Sequence, residues 1–390
     1  MSKPELVAIL REEITKKGPI PFVRFMETAL YHPEFGYYTS AGEKIGPRGD
    51  FYTSSSVHPI FGELLAKQFL QMSLALGDDG SGFTWVEIGA GKGTLCADIL
   101  TALQQASPLF FNQLRYIIVE KSPALREKQI ERLRPRFPDR VEWEEEVPSN
   151  LTGIVFSNEL IDAMPVHRLR IEGAAIQEIY VDFKEGRFVE TLGPPSTQRL
   201  LDYLGRLAVE FDRPTEIEIN LDGLDWIGRI GRAIDRGFLV TIDYGYPAEV
   251  LYTPRRPRGT FLCYYRHQTN EAPYDHIGEQ DMTAHVDFTS LAKAGESVGL
   301  SVIGFTDQTH FLMGLGIAQR MERYAAEMDR SEEAKKEFIA MKQLMAPERM
   351  GGVFKLLIQG KNIPPGISLE GLQFKPFFKL LTLIFFFFIM

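Results

Sequence analysis

The sequence predicts an α/β fold: a doubly wound sheet of about seven strands with helices on both faces, a helical segment before it, and additions within and after it. Three observations lead there. Short continuous apolar runs recur, as strands buried on both faces require. Segments with three- and four-residue apolar spacing lie between the first five of them, as crossover helices require. One run feeds into a glycine-rich loop and then a helix, the layout of a nucleotide-type site at the carboxyl end of a parallel strand.

The elements follow in order. Residues 5–17 read as a helix with Leu6, Ile9, Leu10 and Ile14 on one face, stopped by Gly18 and Pro19. Pro21 opens a second helical pattern that turns Phe22, Phe25, Met26 and Leu30 inward. A turn-rich aromatic segment follows. After it comes a loop carrying Asp50, Phe51, Thr53 and Ser54, ahead of a helix that begins near Pro59. Hydroxyls and an acid in that place serve either as helix caps or as a cover over a ligand, and the length of the loop favours the cover.

From Thr84 to Thr101 the chain has the apolar run Trp85, Val86 and Ile88, with Glu87 near its end. Gly89, Gly91 and Gly93 alternate after it, and Leu95, Ile99 and Leu100 take helical spacing. Glycine allows positive φ and the close approach of a ligand. The helix start offers free N–H groups and a positive dipole end. A phosphate loop would need Gly-Lys-Ser/Thr after a four-residue gap, and Lys92 is followed by Gly93 instead. The dinucleotide pattern G-x-G-x-x-G is one residue longer than this loop. A third pattern, E/D-x-G-x-G-x-G of S-adenosylmethionine sites, is met residue for residue from Glu87 to Gly93. A turn whose glycines serve only close packing is the plain alternative.

Tyr116 to Val119 is a second buried strand, and it ends in Glu120. An acid there can accept hydrogen bonds from both ribose hydroxyls of a nucleoside, or simply favour a helix dipole. Residues 141–145 are a weaker third strand. The fourth, Ile154 to Phe156, gives way at once to Ser157, Asn158, Glu159 and Asp162, which would face the same crevice as the glycines. A helix cap by Ser157 or Asn158 is the alternative, though three further polar groups exceed what a cap needs.

Residues 166–191 alternate around Glu185-Gly186 and read as an antiparallel hairpin; 197–211 and Trp226 to Ile234 read as helices. Residues 237–245 are the fifth strand, leaving Asp243, Tyr244 and Gly245 at its exit. The stretch 247–287 is irregular. Its His267, His276, Asp281, His285 and Asp287 lack the tight spacing of a metal site. A helix from Phe288, a strand from Ser301, a helical pair over 316–345 and a strand over 353–360 complete the pattern, the last two strands closing the sheet edge. The division expected is an N-terminal helical lid over 1–75, a main domain over 76–360 with an α+β insertion at about 166–235, and an extension over 361–390.

Composition narrows the function. A net charge of −9 argues against a broad nucleic-acid footprint. Two distant cysteines, Cys96 and Cys263, supply neither a disulfide framework nor a metal site. The first residues mix acids with bases and carry no apolar run, so the expectation is a cytoplasmic protein without signal or transit peptide. The phenylalanine-rich end, 377–390, falls short of the ~20 residues a spanning helix needs, and no transmembrane span is expected.

Several blocks together resemble the MidA family of S-adenosylmethionine-dependent methyltransferases, which includes a mitochondrial complex I assembly factor that methylates protein arginine. The blocks are GDFYTSSSVHPIFGE (49–63), VEIGAGKGTLCADIL (86–100), VEKSPALREKQ (119–129), SNELIDAMPVHR (157–168), VTIDYG (240–245) and GEQDMTAHVDFTSLA (278–292). Ala90 and Lys92 depart from the family's usual proline and arginine, mildly for a loop that works through its backbone. The resemblance implies a class I methyltransferase-like fold and S-adenosyl-L-methionine as cofactor. It implies that Glu87, Gly89, Gly91 and Gly93 hold the methionine end and Glu120 the ribose, with Asp50, Thr53 and Ser54 closing over them. It implies that Asn158, Glu159 and Asp162 face the methyl group and a protein substrate, with a respiratory-complex subunit the first candidate. A carboxylate beside an arginine guanidinium holds it bidentately and draws charge from the attacking nitrogen, the role expected of Glu159 with Asp162 as helper. A nicotinamide-dependent oxidoreductase and an assembly factor without turnover are the alternatives.

Overall fold

The computed structural model describes residues 2–40, 58–77, 82–348 and 350–375. Asp50, Thr53 and Ser54, and the phenylalanine-rich end, lie outside the described residues.

Seven strands form the central sheet: β1 (Thr84–Ile88), β2 (Arg115–Val119), β3 (Val141–Glu144), β4 (Leu151–Asn158), β5 (Ile234–Tyr246), β6 (Ser301–Asp307) and β7 (Phe354–Lys361). Their order is β3-β2-β1-β4-β5-β7-β6. Pairing is parallel from β3 across to β5. β7 runs antiparallel to both β5 and β6, the edge pair that the pattern predicts. A two-residue strand, Val286–Asp287, adds an eighth, parallel to the end of β5. The α/β fold of the sequence reading is therefore the fold observed.

Strand order reverses beside β1, which has β2 on one side and β4 on the other. That reversal opens a crevice at the carboxyl ends of β1 and β4. The glycine loop leaves β1 and the polar turn leaves β4, so topology alone brings them together.

The core is split by the alternation of each strand. Trp85, Tyr116, Ile154, Phe156, Phe238 and Val240 face one apolar cluster, shared with helices α3 (Ile60–Ala75) and α4 (Thr94–Ala106) and the end of α5 (Pro123–Leu133). Val86, Ile117, Val155 and Leu239 face the other, shared with α6 (Leu221–Ala233) and α7 (Phe288–Glu296). Helix α6 falls inside the stretch expected as the insertion, yet Trp226, Ile227 and Ile230 pack it on the central sheet.

The N-terminal helices, α1 (Pro4–Lys17) and α2 (Phe22–Tyr31), bury Leu6, Leu10, Ile14, Phe22, Phe25, Met26 and Leu30. They pack against a second, antiparallel sheet built from 167–172, 175–184, 187–193 and 215–219. Ile20–Pro21 joins that sheet by pairing with Tyr180 and Val181. The turn at Glu185 and Gly186 has φ of 50° and 80°, the left-handed pair that a tight hairpin needs. Helical segment and insertion thus form one layer, and α2 carries Tyr31 from it to the crevice.

Two local expectations give way. Strand β4 continues through Ser157 and Asn158, and a turn rather than a helix follows, so neither residue is a helix cap. The irregular stretch holds a three-stranded sheet, Leu262–Tyr265, Gln268–Asn270 and Asp281–Thr283. Strands of three or four residues are too short to show a period of two in the sequence.

Candidate active site

The glycine loop adopts left-handed backbone at all three glycines, with φ of 72° at Gly89, 54° at Gly91 and 73° at Gly93. Gly89 donates its N–H to Val119 O at 3.2 Å, and Gly93 donates to Ala90 O at 2.8 Å. Gly93 holds the N-cap position of α4 without a side-chain cap, so the amides that open this helix remain suited to a ligand carboxylate. A Cβ on Gly89 would stand 2.9 Å from Leu160 Cδ1. The loop after β1 and the turn after β4 are in contact there.

Glu87 lies under the loop. It is only 3% exposed, on the α4 face of β1, and Tyr116 Oη donates to its Oε2 at 2.7 Å. Burial raises its pKa from 4.5 to about 7, against the opposing pull of the Tyr116 hydrogen bond. Glu120 follows β2 and is half-buried. Its Oε1 accepts from Ser122 N at 2.8 Å and its Oε2 from Gln129 Nε2 at 3.0 Å. Burial raises its pKa and these hydrogen bonds resist the rise.

On the other side of the crevice the turn after β4 is shaped by Asp243, near the end of β5. Asp243 Oδ2 accepts from the N–H groups of Leu160, Ile161 and Asp162 at 3.2, 2.8 and 3.3 Å, while Oδ1 accepts from Tyr244 N at 2.9 Å. Burial lifts the Asp243 pKa to about 6, and the four amides hold it from rising further. The carbonyls of the same turn are taken by three other elements. Tyr31 Oη donates to Ala163 O at 2.9 Å, Asn220 Nδ2 to Ile161 O at 2.9 Å, and Ala284 N to Asp162 O at 3.0 Å.

Inside this frame Glu159 takes φ of 55°, uncommon for a residue with a Cβ. Its N–H donates to Ile242 O at 2.9 Å. Asn158 Nδ2 donates to its Oε1 at 2.9 Å and Tyr244 Oη to its Oε2 at 2.7 Å. The carboxylate is aimed by a neighbour on each oxygen. Asp162 is 5% exposed, and its Oδ1 has no hydrogen-bond partner among the described residues. Burial first, then the charges of Asp243, Glu159 and Asp281, push its pKa well up.

The structure thus brings Glu87, the three glycines, Glu120, Asn158, Glu159 and Asp162 to one crevice. Asp243 and Tyr244 stood in the sequence as a strand exit without a role. Gln129 and Tyr31 carried no signal, because a polar residue on a surface-like helix looks solvent-facing. Among the described residues no cluster of histidine, cysteine, aspartate and glutamate side chains is arranged for a metal. Asp287, one of the tempting residues, caps α7 through Thr289 N and Ser290 N.

Residues 64–306 match the model of a family described as S-adenosyl-L-methionine-dependent methyltransferases. The chain belongs to this family. It is 29% identical over 386 residues to the mitochondrial protein arginine methyltransferase NDUFAF7 homolog of Drosophila melanogaster, covering 89% of this chain and 83% of that one. The human mitochondrial protein arginine methyltransferase NDUFAF7 is 27% identical over 375 residues, with 88% and 81% covered. A Burkholderia thailandensis protein crystallised with S-adenosyl-homocysteine superposes with a TM-score of 0.83 at 30% identity, covering 95% of this chain and 97% of that one.

The chain is therefore an S-adenosylmethionine-dependent methyltransferase of MidA type, and the nicotinamide alternative falls away. Left-handed glycines, an uncapped helix start and an acid just past the end of the neighbouring strand fit that cofactor. One expectation is overturned: the curated relatives are mitochondrial proteins, so the cytoplasmic location read from the N-terminal composition does not stand. No described helix is long and apolar enough to cross a membrane.

Two outcomes follow from this geometry. Asp243→Asn places an NH₂ group against amides that need an acceptor, and should lower unfolding free energy by about 2–3 kcal/mol in chemical denaturation. Glu87 binds its proton more tightly folded than unfolded, so the folded state loses stability as pH rises from about 4.5 to about 7. Glu87→Gln should then stabilise the protein by roughly 3 kcal/mol at pH 8 and change it little at pH 4.5. Equal effects at the two pH values in a thermal melt would rule out the charge explanation.

Proposed function

We propose that this methyltransferase modifies arginine side chains of a protein substrate, with Glu159 as the guanidinium-binding carboxylate. The observation that carries the reading is Glu159 itself. It is held in left-handed backbone at the crevice, with one oxygen oriented by Asn158 and the other by Tyr244. Strain of this kind persists only where the surroundings over-determine it, and here they do. A carboxylate with both oxygens set in direction matches the planar fork of a guanidinium. The mitochondrial relatives are protein arginine methyltransferases, which supports the same substrate chemistry.

The bound cofactor supplies an electrophilic methyl carbon on a sulfonium. The residues of this chain supply position. The amides of the glycine loop and α4 take the carboxylate end, Glu87 beneath the loop favours the positive ammonium, and Glu120 accepts from the ribose hydroxyls. Asp50, Thr53 and Ser54 belong to the proposed cover over the cofactor. On the substrate side Glu159 grips two N–H groups of the guanidinium, draws positive charge toward itself and leaves the third nitrogen to attack. As the N–C bond forms, the C–S bond breaks and its electron pair stays on sulfur. The attacking nitrogen then loses a proton. Asp162 Oδ1 is the acceptor we assign, since a carboxylate whose pKa is pushed up is a stronger base than an ordinary one. Alignment of nitrogen, carbon and sulfur is the main catalytic task. The resemblance extends the proposal to a respiratory-complex-type subunit as substrate.

Glu159→Gln should bind S-adenosyl-homocysteine like the wild type in calorimetry and lose about 100-fold or more in methyl transfer. Intact transfer by that variant would sink the assignment. Glu120→Ala should weaken cofactor binding by about tenfold. Incubation with labelled S-adenosylmethionine and cell lysate, followed by mass spectrometry, should place the label on arginine. Label on another residue type would overturn the arginine reading, and cofactor binding with no label would favour an assembly role without turnover.

A further inference from the structure

We propose that Gln129 is a positioning residue for the cofactor: its amide fastens the glycine loop and the Glu120 carboxylate into one rigid half-site, and Trp143 fixes which way that amide faces. The proposal rests on the reading of Glu120 as the ribose acceptor.

Gln129 lies on α5 and is fully buried, 0% exposed. An uncharged amide in such a place must satisfy both its ends. Trp143 Nε1 is 3.0 Å from Gln129 Oε1. An indole N–H can only donate, so the amide atom facing it must be the oxygen. The NH₂ group is thereby turned the other way. It donates to Gly91 O at 2.9 Å and to Glu120 Oε2 at 3.0 Å. Both amide hydrogens are used and neither orientation nor partner is left to choice.

The consequences reach the cofactor site on both sides. Gly91 is the middle glycine of the loop, and tying its carbonyl to α5 fixes the peptide plane that joins it to Lys92. One turn further along α5, Leu133 packs against Gly93, where an added Cβ would lie 3.1 Å from Leu133 Cδ1. The helix therefore braces the loop at two points. On Glu120 the Gln129 donor occupies one direction of Oε2 and Ser122 N one direction of Oε1. A carboxylate has about four lone-pair directions, so each oxygen keeps one to offer a hydroxyl. Two oxygens held in this way suit the two adjacent hydroxyls of a ribose.

A glutamine that served packing alone would be replaceable by any group of its shape. One that positions through its donors would not. Gln129→Glu keeps the shape but puts an acceptor against a carbonyl and a carboxylate. Calorimetry of the full chain with S-adenosyl-homocysteine at pH 8 should show binding weakened about tenfold or more. Lowering the pH to 6 moves this pair of adjacent carboxyl groups toward sharing one proton, which restores a donor. The deficit relative to wild type should then shrink by at least about threefold, which lost packing would not produce. Trp143→Phe frees the amide to turn over and should weaken binding about threefold or more at pH 8; it decides the matter if Gln129→Glu does not fold. Wild-type affinity in Trp143→Phe, or a Gln129→Glu deficit that is the same at both pH values, overturns the proposal. The Glu120→Gln variant separates the two readings. If it binds like wild type, the ribose assignment fails; if it is weak while Gln129→Glu is not, only the role of Gln129 fails.

Discussion

The crevice depends on one carboxylate. Asp243, at the end of a buried strand, gathers the N–H groups of Leu160, Ile161 and Asp162 onto a single oxygen. Without that acceptor three amides would stand buried next to one another with nothing to receive them, a cost of about 1–3 kcal/mol for each. With it, the chain leaving β4 must turn at once. The sharp turn puts Glu159 into left-handed backbone and stands its side chain at the mouth of the crevice. The strain at Glu159 and the hydrogen bonds to Asp243 are two views of the same event. The strand that supplies Asp243 also supplies Tyr244, which aims the Glu159 carboxylate.

The same turn shows why so much chain is needed around a small reaction. Its carbonyls are met by Tyr31 from the N-terminal helices, by Asn220 at the start of α6 and by Ala284 from the loop before α7. Three segments that are distant in sequence converge on one stretch of about four residues. This makes the N-terminal layer part of the site rather than an appendage. Tyr31 stacks on Tyr38, whose hydroxyl donates to Asp281 Oδ1 at 2.7 Å, so aromatic and acidic groups continue from the crevice into that layer.

The fold was readable because buried parallel strands announce themselves. Tyr116 to Val119 and the stretch around Val240 are apolar, and the change of polarity at Ser157 marks a strand end to within a residue or two. The glycines were readable because only a backbone requirement explains three of them at alternate positions. What the sequence concealed has a common cause. Gln129, Asn220 and Tyr31 act through hydrogen bonds to main-chain atoms far away in the chain, and such contacts leave no periodicity. Asp243 was visible as a polar residue at a strand exit, but its three partners belong to another strand's turn. The short strands of 262–283 were hidden for a different reason, since each depends on its neighbours for pairing and is too brief to show alternation.

Charge gives the site its direction. Glu87 and Asp243 are held at pKa values of about 7 and 6, and Asp162 and Glu120 are also raised, in each case chiefly by burial. A group of buried acids costs stability when they ionise together, and nothing in the apolar clusters beneath them returns it. A cation entering the crevice reverses that balance, because it favours the ionised forms that burial opposes. A sulfonium, an ammonium and a guanidinium are all cations. An arrangement of buried acids that weakens the fold therefore suits a positively charged cofactor, and the proposed arginine substrate would bring a second positive charge. Burial and the charges of Asp243, Glu159 and Asp281 push the Asp162 pKa up, so a cation placed beside it would favour its ionised form, the form that the proposed proton acceptor requires.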